Sequence, residues 1–384
     1  MSRRIMISGS IGACGPGYGG HCWAVLQYLL GFARLGFETF YVEQLARNRW
    51  RDRDDAPAPM AESVNAVYFR AVMERFGLTE RSALLDPEGP DHVGLSHVDV
   101  ERIAQDVELL VNRSGHLQLA GIMSRLRRRL YLDVDPGYTQ VWQERYGVDM
   151  NLRGHDVYVT VGLNLGEPEC PFPTCGIRWE KTLPPVVLAD WANEAPAGSS
   201  CSTIADWRGF GAIEWQGRWY GQKADVFRRF LGLPKATAVP LELCLLVHPE
   251  EDDRVELEAN GWRLASPRDC VETPDAYRAY VQASLAEFSV AKEAYAAGNT
   301  GWWSDRSSCY LAAGRPVVVH DTGFGRLLPT GQGILPFRDL EGAVEALGRL
   351  GAEYERHAIA AREIAREHLD SDRVLARLCE LAGV

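Results

Sequence analysis

Gly301-Trp302-Trp303-Ser304-Asp305-Arg306-Ser307-Ser308-Cys309-Tyr310-Leu311-Ala312-Ala313-Gly314-Arg315-Pro316-Val317-Val318-Val319 carries the densest structural signal in the chain. Ser304 or Asp305 is a good N-cap, because a short oxygen-bearing side chain can accept from the free N–H groups of a first helical turn. Residues 306–313 then read as a short helix and Gly314 as its stop. Pro316 opens an apolar strand, Val317 to His320, and Asp321-Thr322-Gly323-Phe324-Gly325 follows as a glycine loop. A helix N-terminus bearing serines and an arginine suits a diphosphate: dipole, backbone donors, hydroxyls and a guanidinium coincide there. An ordinary capped helix packed on a sheet can carry the same letters, so the rest of the chain has to decide.

Upstream of this stretch, strand and helix signals alternate. Thr203 to Trp207 reads as the first strand of a unit, with Arg208 directly after it and Lys223 fifteen positions on. Leu241 to His248 reads as a buried strand, Asp252 to Asn260 as a helix and Gly261 to Leu264 as a short strand. Thr273 caps a helix over about 275–283, with Pro274 at its first position. Ala286 to Val290 is a strand candidate.

The first half has the same rhythm. Ile5-Met6-Ile7-Ser8 reads as a buried strand, a glycine cluster follows, Trp23 to Leu35 is helical, and Thr39 to Val42 is the next strand. Such β-α-β units build parallel sheets. Gly15-Pro16-Gly17-Tyr18-Gly19-Gly20 lies between the first strand and its helix, where backbone N–H groups and the dipole favour an anion. It lacks the full dinucleotide fingerprint, and no Walker lysine follows; a merely flexible loop is the plain alternative. Leu109 to Asn112 resembles a strand with a polar tip. Leu130 to Asp133 is another, leading through Asp135 into a Pro-Gly turn, and His155 to Val161 is a further one. Carboxylates at strand C-termini sit where α/β proteins place ligand groups. Six prolines between 168 and 196 break the rhythm and mark a linker.

The expected organisation is α/β: a Rossmann-like domain over 1–180, a second over 181–355, and a C-terminal helical segment, 356–384, that crosses back to the first. At 384 residues the length suits two domains or three. Hydrophobic residues at 46% exclude disorder over most of the chain. A net charge of -11 argues against a general nucleic-acid binder. No apolar run reaches membrane-spanning length and the N-terminal apolar run is too short for a signal peptide, so a cytoplasmic protein without a membrane span is expected. Nine scattered cysteines read as reduced thiols. Cys170 and Cys175 lack the second pair that a zinc knuckle needs, so no metal is expected.

Two α/β units, a glycine loop after the first strand and the helix-Gly-x-Pro-Val-Val turn resemble the GT-B glycosyltransferases. Tyr310 to Val318 resembles the "EAMAxGxPVV" run of their glucosyl- and mannosyl-transfer branch, and Arg208 and Lys223 resemble that branch's basic pair after the first strand of the second domain. The resemblance implies two Rossmann-like domains facing across a cleft, a nucleotide diphosphate sugar donor (UDP-sugar favoured) on the C-terminal domain, an acceptor on the N-terminal domain, and no cofactor. The branch usually carries two glutamates eight residues apart; Gly301 and Cys309 stand at those positions here, with Asp305 as a displaced substitute. An epimerase, a phosphorylase or a non-catalytic relative on the same fold remains the alternative.

Sugar transfer requires stabilisation of the departing diphosphate. On the donor side the candidates are Gly17, Gly19, Arg208, Lys223, His248, Trp302, Ser304, Asp305, Arg306 and Ser307. Lys292 is a weaker one, and Trp262 is a second tryptophan that can stack on a base or sugar. An inverting reaction needs a base beside the acceptor hydroxyl; His21 is favoured because a helix N-terminus keeps a histidine neutral, with Asp133 and Asp135 next.

Overall fold

The computed structural model describes residues 3–193, 195–246 and 252–384. Two sheets organise them. The first has eight strands: β1 (Arg4–Ser8), β2 (Glu38–Gln44), β3 (Ser82–Leu85), β4 (His92–Gly94), β5 (Leu109–Arg113), β6 (Arg129–Asp133), β7 (Val157–Thr160) and β8 (Glu180–Lys181). Their order is β4-β3-β2-β1-β5-β6-β7-β8, parallel except for β3 with β4. After a linker come β9 (Cys201–Asp206), a hairpin of β10 (Ile213–Trp215) and β11 (Arg218–Tyr220), then β12 (Leu241–Leu246), β13 (Arg263–Ala265), β14 (Ala286–Ser289), β15 (Val317–His320) and β16 (Ile334–Phe337). Apart from the hairpin these form a second, wholly parallel sheet, β13-β12-β9-β14-β15-β16.

Helices cover both faces of a parallel sheet, so its central strands read as continuous apolar runs. Ile5, Met6 and Ile7 on β1 and Leu109, Leu110 and Val111 on β5 are all buried, paired in register. Burying each such side chain contributes roughly 1.5–3 kcal/mol. In an open α/β sheet, ligands gather beyond the strand C-termini where the strand order reverses. Here that point lies between β1 and β5 in the first sheet and between β9 and β14 in the second.

Hydrogen bonds between loops tie the two sheet units together. Asn164 N donates to Thr300 O at 3.0 Å, and Asn164 Nδ2 donates to Asn299 O at 3.0 Å and to Gly323 O at 3.2 Å. Gly301 has φ +70°, and a Cβ there would lie 2.8 Å from Asn164 N. No side chain fits this crossing, which accounts for a glycine at the first position where the resembling branch has glutamate. The hairpin β10–β11 makes a second tie: Ile213 and Tyr220 pack with Tyr131, Tyr138 and Tyr295, and Arg145 pairs with Glu214 at 3.1 Å.

The C-terminal region is helical but interrupted. Helix Tyr354–Ile364 runs into a π turn at Ala365–Leu369, and a new helix covers Ser371–Ala382. Val186 causes the break by pairing with this segment: its N donates to Leu369 O at 2.7 Å, and its O accepts from Ser371 N at 2.9 Å. Asp370 then caps the new helix by accepting from Asp372 N. That helix lies on Gly19–Arg34 so closely that a Cβ at Gly31 would sit 2.5 Å from Leu375.

Candidate functional site

Both strand-order reversals open onto one cleft. From the first sheet come Gly17 and Tyr18 in the loop after β1, Gly20 and His21 in the first turn of helix Gly19–Arg34, and Arg113 at the end of β5. From the second come Asp206 at the end of β9, Lys292 just after β14, and Ser304, Asp305 and Arg306 at the start of helix Asp305–Ala312. They line a cavity of about 340 Å³. A second cavity of about 490 Å³ adjoins it on the side of the first sheet. Tyr18, His21, Arg113, Asp135, Trp302 and Asp305 border both.

The glycine loop is fastened from below. Glu43, at the end of β2, accepts from Gly12 N at 2.8 Å and Ala13 N at 2.6 Å, and from the Tyr41 hydroxyl at 2.7 Å. Burial lifts its carboxyl to about 7 despite these donors. Gly17 has φ +91° and borders the first cavity. Gly19 does not border it: a Cβ there would lie 2.3 Å from Thr273 O. Its lack of a side chain lets the loop press against the N-cap of helix Pro274–Ala283, so close packing, and not room for phosphate, explains this glycine.

The cations divide into two groups. Arg306 is committed to the protein: Nε donates to Glu287 at 2.6 Å, one terminal nitrogen to Ile204 O at 2.6 Å and the other to Ser289 Oγ at 2.5 Å. Arg208 turns onto Asp253 at 2.5 Å, shares it with Arg228, and borders neither cavity. Lys223, by contrast, borders the first cavity and makes no hydrogen bond or ion pair with any described residue. Burial, then the nearby Arg306 and Lys292, hold its ammonium well below the ordinary lysine range. Lys292 is in the same position; its ammonium lies 3.5 Å from the Phe210 ring centroid. Burial brings it down to about 8, against the pull of Asp135 and Asp206.

Where the cavities meet, His21 Nε2 lies 2.8 Å from Ser10 Oγ and 3.3 Å from an Arg113 nitrogen. Burial, Arg113 and His116 push its pKa well below 6.5, so the ring is neutral. Arg113 is 8% exposed, and its remaining nitrogens have no partner among the described residues. Asp135 accepts the Tyr295 hydroxyl at 2.7 Å. Trp302 stacks on Tyr295 with centroids 4.4 Å apart. Asp305 accepts no hydrogen bond from another described residue, and burial raises its carboxyl.

Several expected residues lie elsewhere or are already engaged within the protein. Asp133 is fully buried, its oxygens taken by Thr139 at 2.7 Å, Gln140 at 3.0 Å and Thr160 at 2.8 Å, so it braces the strand end instead of facing the cleft. Ser307 is buried outside both cavities, and Ser304 Oγ is occupied by Arg306 N. Trp262 packs in the second half's core with Phe227 and Phe288. His248 lies outside the described residues. Cys309, at the second position where the resembling branch has glutamate, is buried against Gln27 of helix Gly19–Arg34. Sequence reasoning missed Arg113, although the polar strand tip beside it was visible.

No family model and no curated protein matches the chain. Solved structures do. An alpha-glucosyltransferase in complex with UDP and a 13-mer DNA aligns over 100% of both chains, with TM-score 0.60 and 13% identity. Anabaena Alr3699/HepE with UDP and glucose aligns over 100% of both, at 0.59 and 12%. Sucrose-phosphate synthase from Thermosynechococcus elongatus aligns over 99% of this chain and 98% of its own, at 0.55 and 12%. Two Rossmann-like sheet units, joined at a cleft that both strand-order reversals address, therefore place this chain in the GT-B fold.

Proposed function

We propose that the protein is a glycosyltransferase that moves a sugar from a nucleotide diphosphate sugar, with UDP favoured, to a hydroxyl of a small acceptor. The observation that carries this reading is the pair Lys223 and Lys292. Both are half-buried, both are held below the ordinary lysine range chiefly by desolvation, both border the first cavity, and neither makes an ion pair with a described residue. A buried ammonium without a counter-ion is costly, and a diphosphate supplies the missing charge. UDP-bound proteins of the same fold support the choice of nucleotide.

In this reading the nucleotide diphosphate lies along the second half, between the lysines and the start of helix Asp305–Ala312. The lysines stabilise the charge that develops as the glycosidic bond to the diphosphate breaks. The sugar then sits where the two cavities meet. Asp305, uncommitted and with a raised pKa, is the proposed proton acceptor for the incoming hydroxyl. His21 is less suited, because Ser10 and Arg113 already engage its Nε2 and its basicity is depressed.

A thermal-shift series with UDP, TDP and GDP tests the donor assignment. Stabilisation by UDP is expected, and no shift with any of the three would remove the reading. Asp305→Asn should retain UDP affinity within about threefold and lose most sugar transfer; full transfer by this variant would dismiss Asp305 as the base.

A further inference from the structure

The second cavity has a divided chemistry. Its charged side chains, Arg113, Asp135 and Asp305, all stand where it meets the donor cavity. Among the described residues that border the second cavity alone, none is Asp, Glu, Lys or Arg. That wall is built largely from Ala24, Tyr28, Val134, Trp142, Met150 and Trp303. Its one imidazole, His116, is lowered to about 4 by burial and by Arg113, so it is neutral at physiological pH. Ser114 and Thr139 add uncharged polarity.

Such a wall has consequences for what can bind. Arg113 at the junction is the one cation that borders this cavity among the described residues, so a phosphorylated sugar or a nucleic acid whose phosphates lay along the wall beyond it would find no cation there to replace the lost water. An oligosaccharide would bring many hydroxyls and find few donors and acceptors beyond the junction. An apolar ring system finds aromatic side chains, Tyr28, Trp142 and Trp303, in the lining, and the volume of about 490 Å³ falls in the range of small-molecule pockets.

Resting on the proposed sugar transfer, we infer that the acceptor is an uncharged, ring-built small molecule, a phenol or polycyclic alcohol. Its hydroxyl points to the Asp305 junction and its apolar body fills the neutral wall. This acceptor differs in class from the charged molecules printed in the names of two proteins of like fold, a 13-mer DNA bound to one and the sucrose phosphate for which the other is named. In the transfer, the acceptor oxygen forms the new bond to the anomeric carbon as the bond to the diphosphate oxygen breaks, and the hydroxyl proton passes to Asp305.

The test uses the full chain saturated with UDP, and UDP binding is measured separately by calorimetry. The probes are 2-naphthol, fructose 6-phosphate and a 13-mer DNA duplex. Saturable binding of 2-naphthol below millimolar concentration is expected, with at least tenfold weaker binding of the other two. Trp142→Ala should weaken 2-naphthol binding at least fivefold and leave UDP affinity within twofold. Tighter binding of fructose 6-phosphate or DNA than of 2-naphthol, or no saturable 2-naphthol binding below millimolar, would overturn the acceptor class while the donor reading stands. Failure to bind UDP would count against the donor reading instead, and the naphthol arm, repeated without nucleotide, would still decide the acceptor class by the same ranking.

Discussion

The two walls of the cleft differ in what they leave unsatisfied. The wall from the second sheet leaves charge: Lys223 and Lys292 face the cavity without an ion-pair partner among the described residues. The wall from the first sheet leaves apolar surface, with its charges confined to the junction. Within the second wall there is a sharper contrast, between cations committed to the fold and cations available to a ligand. Arg306 looks like a phosphate ligand in the sequence, yet each of its three guanidinium nitrogens already donates inside the protein, to Glu287, Ile204 and Ser289. Being basic and near the site is therefore not enough; whether the charge is already paired inside the protein, as Arg306 is with Glu287, decides.

The largest expected effect tests that contrast. Glu287 is fully buried, and its second oxygen already lacks a partner. Arg306→Ala would leave this carboxylate uncompensated inside the protein, and breaking a buried pair in this way costs about 3–5 kcal/mol. The variant should therefore unfold at markedly lower urea concentration. A variant of wild-type stability with weakened UDP binding would place Arg306 among the ligand-binding cations and erase the distinction.

Lys223→Ala should do the reverse. Removing a charged hydrogen bond to the diphosphate costs about 1–3 kcal/mol of binding, a loss of roughly five- to 150-fold in UDP affinity by calorimetry. Stability without ligand should hold or rise, because a desolvated, unpaired ammonium is removed. Unchanged UDP affinity would leave Lys223 without the proposed role.

The sequence made the repeating α/β units legible because parallel strands buried on both faces carry continuous apolar runs, as in Ile5–Ile7 and Val317–Val319. The stop at Gly314 and the cap at Thr273 were visible for the same local reason: each is decided within a few residues. Where a side chain points was not. Whether Asp133 faces a cleft depends on Thr160, 27 positions away. Whether Arg306 is free depends on Ile204, 102 positions away. Gly19 resembled a phosphate loop, but its constraint comes from Thr273. Lys292 is a weaker candidate in the sequence because nothing local shows that β14 sets it at the reversal of the second sheet. Arg113 became a candidate only once β1 and β5 were neighbours.

The finest test separates the two lysines by pH. Lys292 is lowered to about 8 from an unfolded value near 10.5. Between those values the unfolded chain binds more protons, so stability rises with pH across this window, and the cost of the buried charge is fully present below about pH 8. Ligand binding carries the opposite sign, because a diphosphate favours the protonated ammonium. UDP affinity should therefore fall by roughly three- to tenfold from pH 7 to pH 9, as free Lys292 loses its proton. Lys292→Met should bind more weakly at pH 7, show a flatter profile, and unfold at a higher temperature without nucleotide. If the variant keeps the wild-type pH slope, the titrating group is another one; Lys223, also held below the ordinary range, then becomes the cation whose proton the diphosphate requires.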